Sequence, residues 1–448
     1  MRILSWLDSC STVSCATATL HSTISTSTPT KPSAASDEFV TSSDIPSSSS
    51  SSSTTSRDTT TSSLHSNLSV QTHPSVPSLQ KLPSSHDYFN RLVVSQHFLA
   101  SLNPLPSQPL TCLAVHGDLL YAASSHQINV YDRRTCTTLR SFGSQHSSSG
   151  STKALIFCHG MLLTSHQDSK IRVWKLLPDK KYQKLTVLPT VNDRLRRFIL
   201  PKNYVTVRRH RKQLWIQHAD AVTGLAVYNN IIYSVSWDKS MKIWRASDLR
   251  CLESVKAHED AVNAVVVSKD GTVYTGSADK RIRVWSKPGG EKTHVLIATL
   301  EKHKSAINAL ALNEEGSVLF SGACDRSILV WEREHSANHM VVSGALRGHG
   351  KAILCLINVR DLLLSGSADR TVRIWKQGVQ GSYGCIAVLV GHEKPVKSLA
   401  AVTESEGSEP NGDVSVFSGS LDGEIRVWRV SISIDVDADM NDASGVHR

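Results

Sequence analysis

The sequence predicts an all-β fold, a seven-bladed β-propeller behind a disordered, Ser/Thr-rich N-terminal tail. Three observations carry that prediction. The chain repeats itself with a period of roughly 41 to 46 residues, the length of a four-stranded propeller blade. Each copy consists of short β-branched runs broken by Gly, Asp and Lys. Six copies also carry a His, a hydroxyl residue, an Asp and a Trp in that order.

Taken in chain order, residues 1–95 come first. Between Thr41 and Ser63, 18 of 23 residues are Ser or Thr. Such a stretch buries too little apolar surface to offset its ordering entropy. It reads as a tail, either an inert solvated one or an arm tuned by phosphorylation. The propeller is expected over 96–435, with a basic insertion at about 189–217, and 436–448 as a second tail.

The repeats align on IRVWK ending its blade core at Trp174, MKIW at Trp244, IRVW at Trp285, ILVW at Trp331, VRIW at Trp375 and IRVW at Trp428. Six residues before each Trp stands Asp168, Asp238, Asp279, Asp325, Asp369 or Asp422. Upstream come Thr164, Ser234, Thr275, Ser321, Ser365 and Ser418, and further upstream His146, His218, His258, His303, His349 and His392. NVY at Tyr131 is a worn seventh copy, with Tyr121 and Ser125 in the hydroxyl and Asp positions.

In the fourth blade, AVNAVVV (261–267), TVYTGS (272–277), RIRVW (281–285) and HVLIATL (294–300) read as four successive strands, a to d. Nearly continuous apolar runs suit strands packed on both faces. In strand c, Ile282 and Val284 share one face; Arg281, Arg283 and Trp285 share the other. Asp279 suits the tight ADK turn, where its carboxylate can accept backbone amides. The last blade needs an outer strand, because an open edge invites pairing with other chains. HFLASL (97–102) is the favoured candidate and VSISI (430–434) the competitor.

These copies resemble WD repeats, over residues 97 to about 430. The Trp-Asp dipeptide is missing at the ends of the six full copies, where Lys175, Arg245, Ser286, Glu332, Lys376 and Arg429 follow the Trp. The resemblance implies that Asp279 holds His258, which holds Thr275, which holds Trp285. The equivalent sets are His218, Ser234, Asp238 and Trp244; His303, Ser321, Asp325 and Trp331; His349, Ser365, Asp369 and Trp375; His392, Ser418, Asp422 and Trp428. A Ser-His-Asp set normally suggests a nucleophile. Six copies at one period mean a brace instead, since an enzyme has one such site. No enzyme activity, catalytic residue, cofactor or metal is expected.

The spacing from Trp174 to Trp244 exposes an insertion of roughly 27 residues in blade two or three. Asp179 to Trp215 holds eleven Lys or Arg against two Asp, which nearly accounts for the formal net charge of +10. If YQKLTVL (182–188) is strand d, the insertion joins strands d and a on the face of the b–c turns. If RKQLWI (211–216) is, it is a c–d loop on the opposite face. The first is favoured. NDRLRRFIL suits a short helix capped by Asn192. The candidate partner-binding residues are Arg194, Arg196, Arg197, Arg208, Arg209, Arg211 and Lys212 on the insertion. Trp237, Lys239, Lys280, Arg326 and Arg370 on the b–c turns complete the set.

The insertion segment PKNYVTVRRHRKQLWIQHADAV, with the blades GSADKRIRVW and GSADRTVRIW, resembles plant WD-repeat proteins of the JINGUBANG type. That resemblance implies a regulatory scaffold in cytoplasm and nucleus, acting through partner proteins in pollen germination and growth. INVYDRR, with Asp132 and Arg134, resembles a box by which some propellers attach to the adaptor of cullin-type ubiquitin ligases. Binding of nucleic acid or anionic lipid through the insertion is a further alternative, though no nucleic-acid-binding motif accompanies the charge. Expected partners are other proteins, acidic or transcription-regulatory ones among them, on a monomeric ring. No apolar run reaches the ~18 residues that span a bilayer. Nine cysteines, an odd number without a CxxC pair, argue against a disulfide framework.

Overall fold

The computed structural model describes residues 76–79, 92–103, 108–143, 150–177, 181–208, 211–291, 293–333, 340–378, 381–404 and 413–434. Residues 1–75, 80–91 and 436–448 lie outside this set, and with them most of both predicted tails. Seven four-stranded antiparallel sheets form the ring, each in the order a, b, c, d, and a two-stranded ribbon is the one further sheet among these residues.

The fourth blade shows how sequence becomes sheet. Its strands run Val262–Val267, Val273–Ser277, Ile282–Ser286 and Val295–Leu300. Strand b is buried at every residue, because both of its faces meet neighbouring blades. Ile282 and Val284 are buried on one face of strand c and Trp285 on the other. The apolar residues of adjacent blades therefore join into shared clusters: Val235 and Ile243 of blade three pack with Val262, Val265 and Trp285 of blade four.

The ring closes with an N-terminal strand. Leu92–Leu102 pairs antiparallel with Ile425–Ile434 as the outer strand of blade seven. Both candidate segments take part. HFLASL lies within the outer strand, and VSISI continues strand c and pairs with its upstream half. Phe98 meets the Trp428 ring edge-on at 5.3 Å, and Arg426 lies over the Phe98 ring at 5.5 Å.

Further upstream, residues 76–79 form a short strap beside strand d of blade five. Ala345 N–H donates to Pro77 O (2.9 Å), Leu79 N–H to Ala345 O (3.0 Å) and Tyr383 N–H of blade six to Leu79 O (3.2 Å). Leu79 fills space that a Cβ on Gly344 would invade, since that atom would lie 2.3 Å from Leu79 Cγ. The strap covers an edge that would otherwise offer unpaired amides.

In the insertion, Tyr182–Leu188 is strand d of blade two, so the insertion joins strands d and a. One helix follows, Val191–Phe198. Its N-cap is Thr190, whose hydroxyl accepts from Asp193 N–H at 3.2 Å, and not Asn192, which lies inside the first turn. A ribbon of Tyr204–Arg208 and Arg211–Leu214 completes it.

Candidate functional site

The polar sets assemble as chains across each blade. In blade four, His258 Nδ1 lies 2.9 Å from Asp279 Oδ2 and Nε2 lies 2.8 Å from Thr275 Oγ1, while Trp285 Nε1–H donates to the same oxygen at 3.0 Å. A carboxylate only accepts, so Nδ1 carries the imidazole proton and Nε2 accepts from the hydroxyl. Blades three, five and six repeat this with His–Asp distances of 2.9, 2.9 and 2.8 Å. Asp279 also accepts from Glu259 and Arg281 N–H. Burial alone would raise its pKa; the His258 bond and those amides outweigh it and bring the carboxyl down to about 2. Asp325 falls to about 2 for the same reasons, led by His303. Ser234, Thr275, Ser321 and Ser365 are fully buried, and each hydroxyl oxygen also accepts a Trp Nε1–H, so the chain satisfies its own polar groups inside the blade.

Blade seven is looser. His392 Nε2 reaches Ser418 Oγ at 2.8 Å, but Nδ1 stands 3.5 Å from Asp422 and 3.7 Å from Glu424. His392, Asp422 and Glu424 form the one group among the described residues with the spacing of metal ligands. The Arg426 guanidinium at 2.9 Å from Glu424 already supplies the positive charge there. In blade two, His146 lies outside the described residues. His166, from the end of strand b, supplies the imidazole instead: Nε2 lies 2.7 Å from Thr164 Oγ1, which accepts from Trp174 Nε1–H at 2.9 Å. Asp168 turns to Arg172 at 2.6 Å.

The b–c turns raise a basic rim. Lys239, Lys280, Arg326 and Arg370 are exposed and hold left-handed backbones, with φ of 71°, 72°, 70° and 75°. Blade seven places Gly423 there, with φ 94°. A side chain at such a position costs about 1–2 kcal/mol relative to glycine. Ser169 of blade two holds the same backbone, with φ 64°, so the turn imposes the strain and four blades place a cation on it. Trp237, on the same turn of blade three, is half-buried; its Nε1–H donates to Asn263 Oδ1 of blade four at 3.2 Å.

The insertion is anchored by its polar face. Asp193 is buried, 2% exposed. Its carboxylate accepts from Arg197 Nε–H at 3.0 Å and from Cys251 N–H at 3.1 Å, and Arg197 donates on to Cys251 O at 3.1 Å. The Arg197 guanidinium also lies 4.6 Å over the Trp215 ring. Cys251 pairs with Trp244, at the end of the outer strand of blade three remote from its b–c turn. The helix therefore lies along the blade flank, away from the rim, and not on the face of the b–c turns that its place between strands d and a predicts, because Asp193 and Arg197 tie it to the Cys251 backbone. Among the described residues its apolar face has no cover: Val191 is 67% exposed, Leu195 55%, Phe198 51% and Ile199 73%. These positions share one side of a helix, with exposed Arg196 among them and Tyr204, Arg211 and Lys212 exposed on the following ribbon. The helical spacing of Val191, Leu195 and Phe198 in the sequence signals this stripe, which the charge of the segment overshadows. Arg208 pairs by backbone with Arg211; Arg209 lies outside the described residues.

In the box of blade one, Asp132 Oδ1 accepts from Arg134 and Thr135 N–H, both at 2.9 Å. It holds the c–d turn. Arg134 is exposed, 3.6 Å from Asp118.

Comparison with known proteins agrees with this geometry. The WD domain, G-beta repeat family matches residues 211–245, 249–286, 294–332, 340–376 and 383–429. The chain is 24% identical to Protein ROOT INITIATION DEFECTIVE 3 of Arabidopsis thaliana over 340 residues, 73% of this chain and 71% of that one. It is 30% identical to the DENN domain and WD repeat-containing protein SCD1 of the same plant over 178 residues, 40% of this chain and 13% of that one. It is 24% identical to Telomerase protein component 1 of Mus musculus over 230 residues, 48% of this chain and 8% of that one. The chain thus spans only a small part of the two larger relatives. No helix among the described residues is long and apolar enough to cross a membrane.

Proposed function

We propose that this seven-bladed WD-repeat propeller is a non-catalytic interaction scaffold whose main docking element is the insertion on the flank of blade three. One observation carries the reading: a helix pinned to the blade through Asp193 and Arg197 turns an apolar stripe outward, with cationic neighbours. Exposed apolar residues in a row mark an interaction site, and an amphipathic partner helix with acidic flanks would complement this one. The basic rim is a second contact zone. The resemblance to the JINGUBANG type supports a regulatory role in plants, in cytoplasm and nucleus, with pollen growth as the process and transcription-regulatory proteins as partners.

The test uses the full chain as bait in nuclease-treated plant extract, beside the double variant Leu195→Asp, Phe198→Asp. Both side chains are exposed, so the fold should be retained, with unchanged circular dichroism and melting. We expect the variant to lose specific protein partners. An unchanged set of partners would remove the insertion as the docking element. Loss of all capture on nuclease treatment alone would favour the nucleic-acid reading.

A further inference from the structure

The innermost strands share a feature that the blade braces do not explain. Each strand a carries a register bulge just after its start, at Thr111, Lys153, Thr223, Asn263, Asn308, Leu354 and Lys397. These seven positions encircle the axis of the ring. At three of them the side chain ties its blade to the next. Thr223 donates to Val262 O at 2.6 Å, Asn263 to Ile307 O at 2.9 Å and Asn308 to Ile353 O at 2.8 Å. Leu354 is simply buried.

Lys153 and Lys397 break the pattern. Neither ammonium makes a hydrogen bond or ion pair among the described residues, although both side chains are half-buried. Lys153 lies 5.7 Å over the Trp237 ring, which leans on Asn263. Burial pushes the Lys153 ammonium down to about 8, and the charge of Lys397 adds to the shift. Burial lowers Lys397 too, with the thiols of Cys355 and Cys112 nearby and no carboxylate. Two like charges thus stand at equivalent bulges of the two inner strands that flank strand a of blade one, partly stripped of water and with no counter-charge among the described residues. That arrangement is destabilising. The ring does not need it, since threonine, asparagine and leucine serve at the other five positions.

We infer that Lys153, over the Trp237 ring, and Lys397 form an anion seat on the inner strands of the ring, whose ligand is a phosphate dianion, free or as a monoester. Phosphate would supply the missing charge, and ammonium groups bind it as point charges. The site lies at the b–c-turn end of the inner strands, where Trp237 belongs to the rim, and apart from the insertion; inorganic phosphate tests it whether or not a protein partner docks there.

The experiment is isothermal titration of the full chain, in phosphate-free buffer of low ionic strength. The probes are inorganic phosphate, a phosphoserine peptide and its unphosphorylated twin. The variants are Lys153→Met and Lys397→Met, which keep the stem and remove the charge. We expect saturable binding to one site, weakened about tenfold or more by either variant, with melting temperatures of the unliganded variants equal to or above that of the parent. Tighter binding of the phosphopeptide than of phosphate would place the ligand on another chain; equal binding would make it the free anion. Absence of saturable phosphate binding, equal binding by both variants, or equal binding of the unphosphorylated twin would overturn the inference. The melting curves separate a lost site from a lost fold.

Discussion

Blade four and blade one occupy equivalent places in one ring and are held together differently. Blade four carries a chain of buried hydrogen bonds from Asp279 through His258 and Thr275 to Trp285. Blade one has none of those four residue types at the matching positions. Its equivalents are aromatic. Tyr121 Oη lies 2.6 Å from Tyr182 Oη of blade two, Phe142 stacks on Tyr182 at 4.3 Å and meets the Trp174 ring at 5.2 Å, and Tyr121 meets Phe157 at 4.9 Å. The comparison teaches that the brace pairs its own buried polar groups within the blade, whereas blade one fills the same space with rings against its neighbour and leaves Ser124 Oγ and Asn129 Nδ2 buried without a hydrogen bond among the described residues. It also explains why the worn copy is worn: once Tyr121 replaces the hydroxyl, the His and the Asp lose their partner.

The comparison breaks most sharply at His258. Replacing it by alanine leaves Asp279 and Thr275 without their shared partner inside the blade. Removing one member of a buried polar pair costs about 3–5 kcal/mol, and the cost should appear in urea unfolding as a lower midpoint. The counterpart is Ser125→Asp, which puts the missing carboxylate back into blade one with no histidine to meet it. No gain in stability is expected. A gain would show that the carboxylate stabilises by itself, through the turn alone. Next in size is Phe142→Ala. The ring is half-buried, so a loss of about 2–3 kcal/mol is expected, somewhat below the fully buried case. A loss under 1 kcal/mol would mean that something other than these rings holds blade one.

Much of this was legible in the sequence because the brace is periodic. Trp244, Trp285 and Trp331 recur six residues after an Asp, so even one blade, once understood, predicts the others. The strand boundaries of blade four and the N-terminal outer strand followed from the same alignment. What escaped the reading was local and non-periodic. His166 replaces the expected imidazole of blade two from within strand b, where it looks like one more polar residue. The left-handed backbone of Lys239, Lys280, Arg326 and Arg370 has no marker in composition, since Gly423 alone betrays it. The insertion helix was visible, but which face it buries was not. Apolar spacing at Val191, Leu195 and Phe198 ordinarily marks the inward face. Here Asp193 and Arg197 secure the polar face to the backbone of Cys251, and the rule inverts.

Acid separates the buried imidazole of blade two from the brace carboxylates, and this is the smallest effect expected. His166 is buried, and burial, with the charge of Arg172 adding, brings it down to about 3. An unfolded histidine titrates near 6.5. The unfolded chain therefore takes up a proton that the folded chain refuses. Stability from this site is complete above about pH 6.5 and is lost progressively as pH falls towards 3. At pH 5 the loss is about 2 kcal/mol. The carboxylates behave differently. Asp279 and Asp325, held down to about 2, contribute stability that is complete above the unfolded value near 4 and fades only as pH falls towards 2. The folded chain should thus weaken in two windows. His166→Gln should reduce the loss between pH 6.5 and 4, where buried His218 is also lowered, and Asp279→Asn should leave that window intact while reducing the acid one, which the other brace carboxylates share. If His166→Gln left the upper window unchanged, the imidazole of blade two would be protonated in the folded state, and Thr164 would need another partner for its hydroxyl proton.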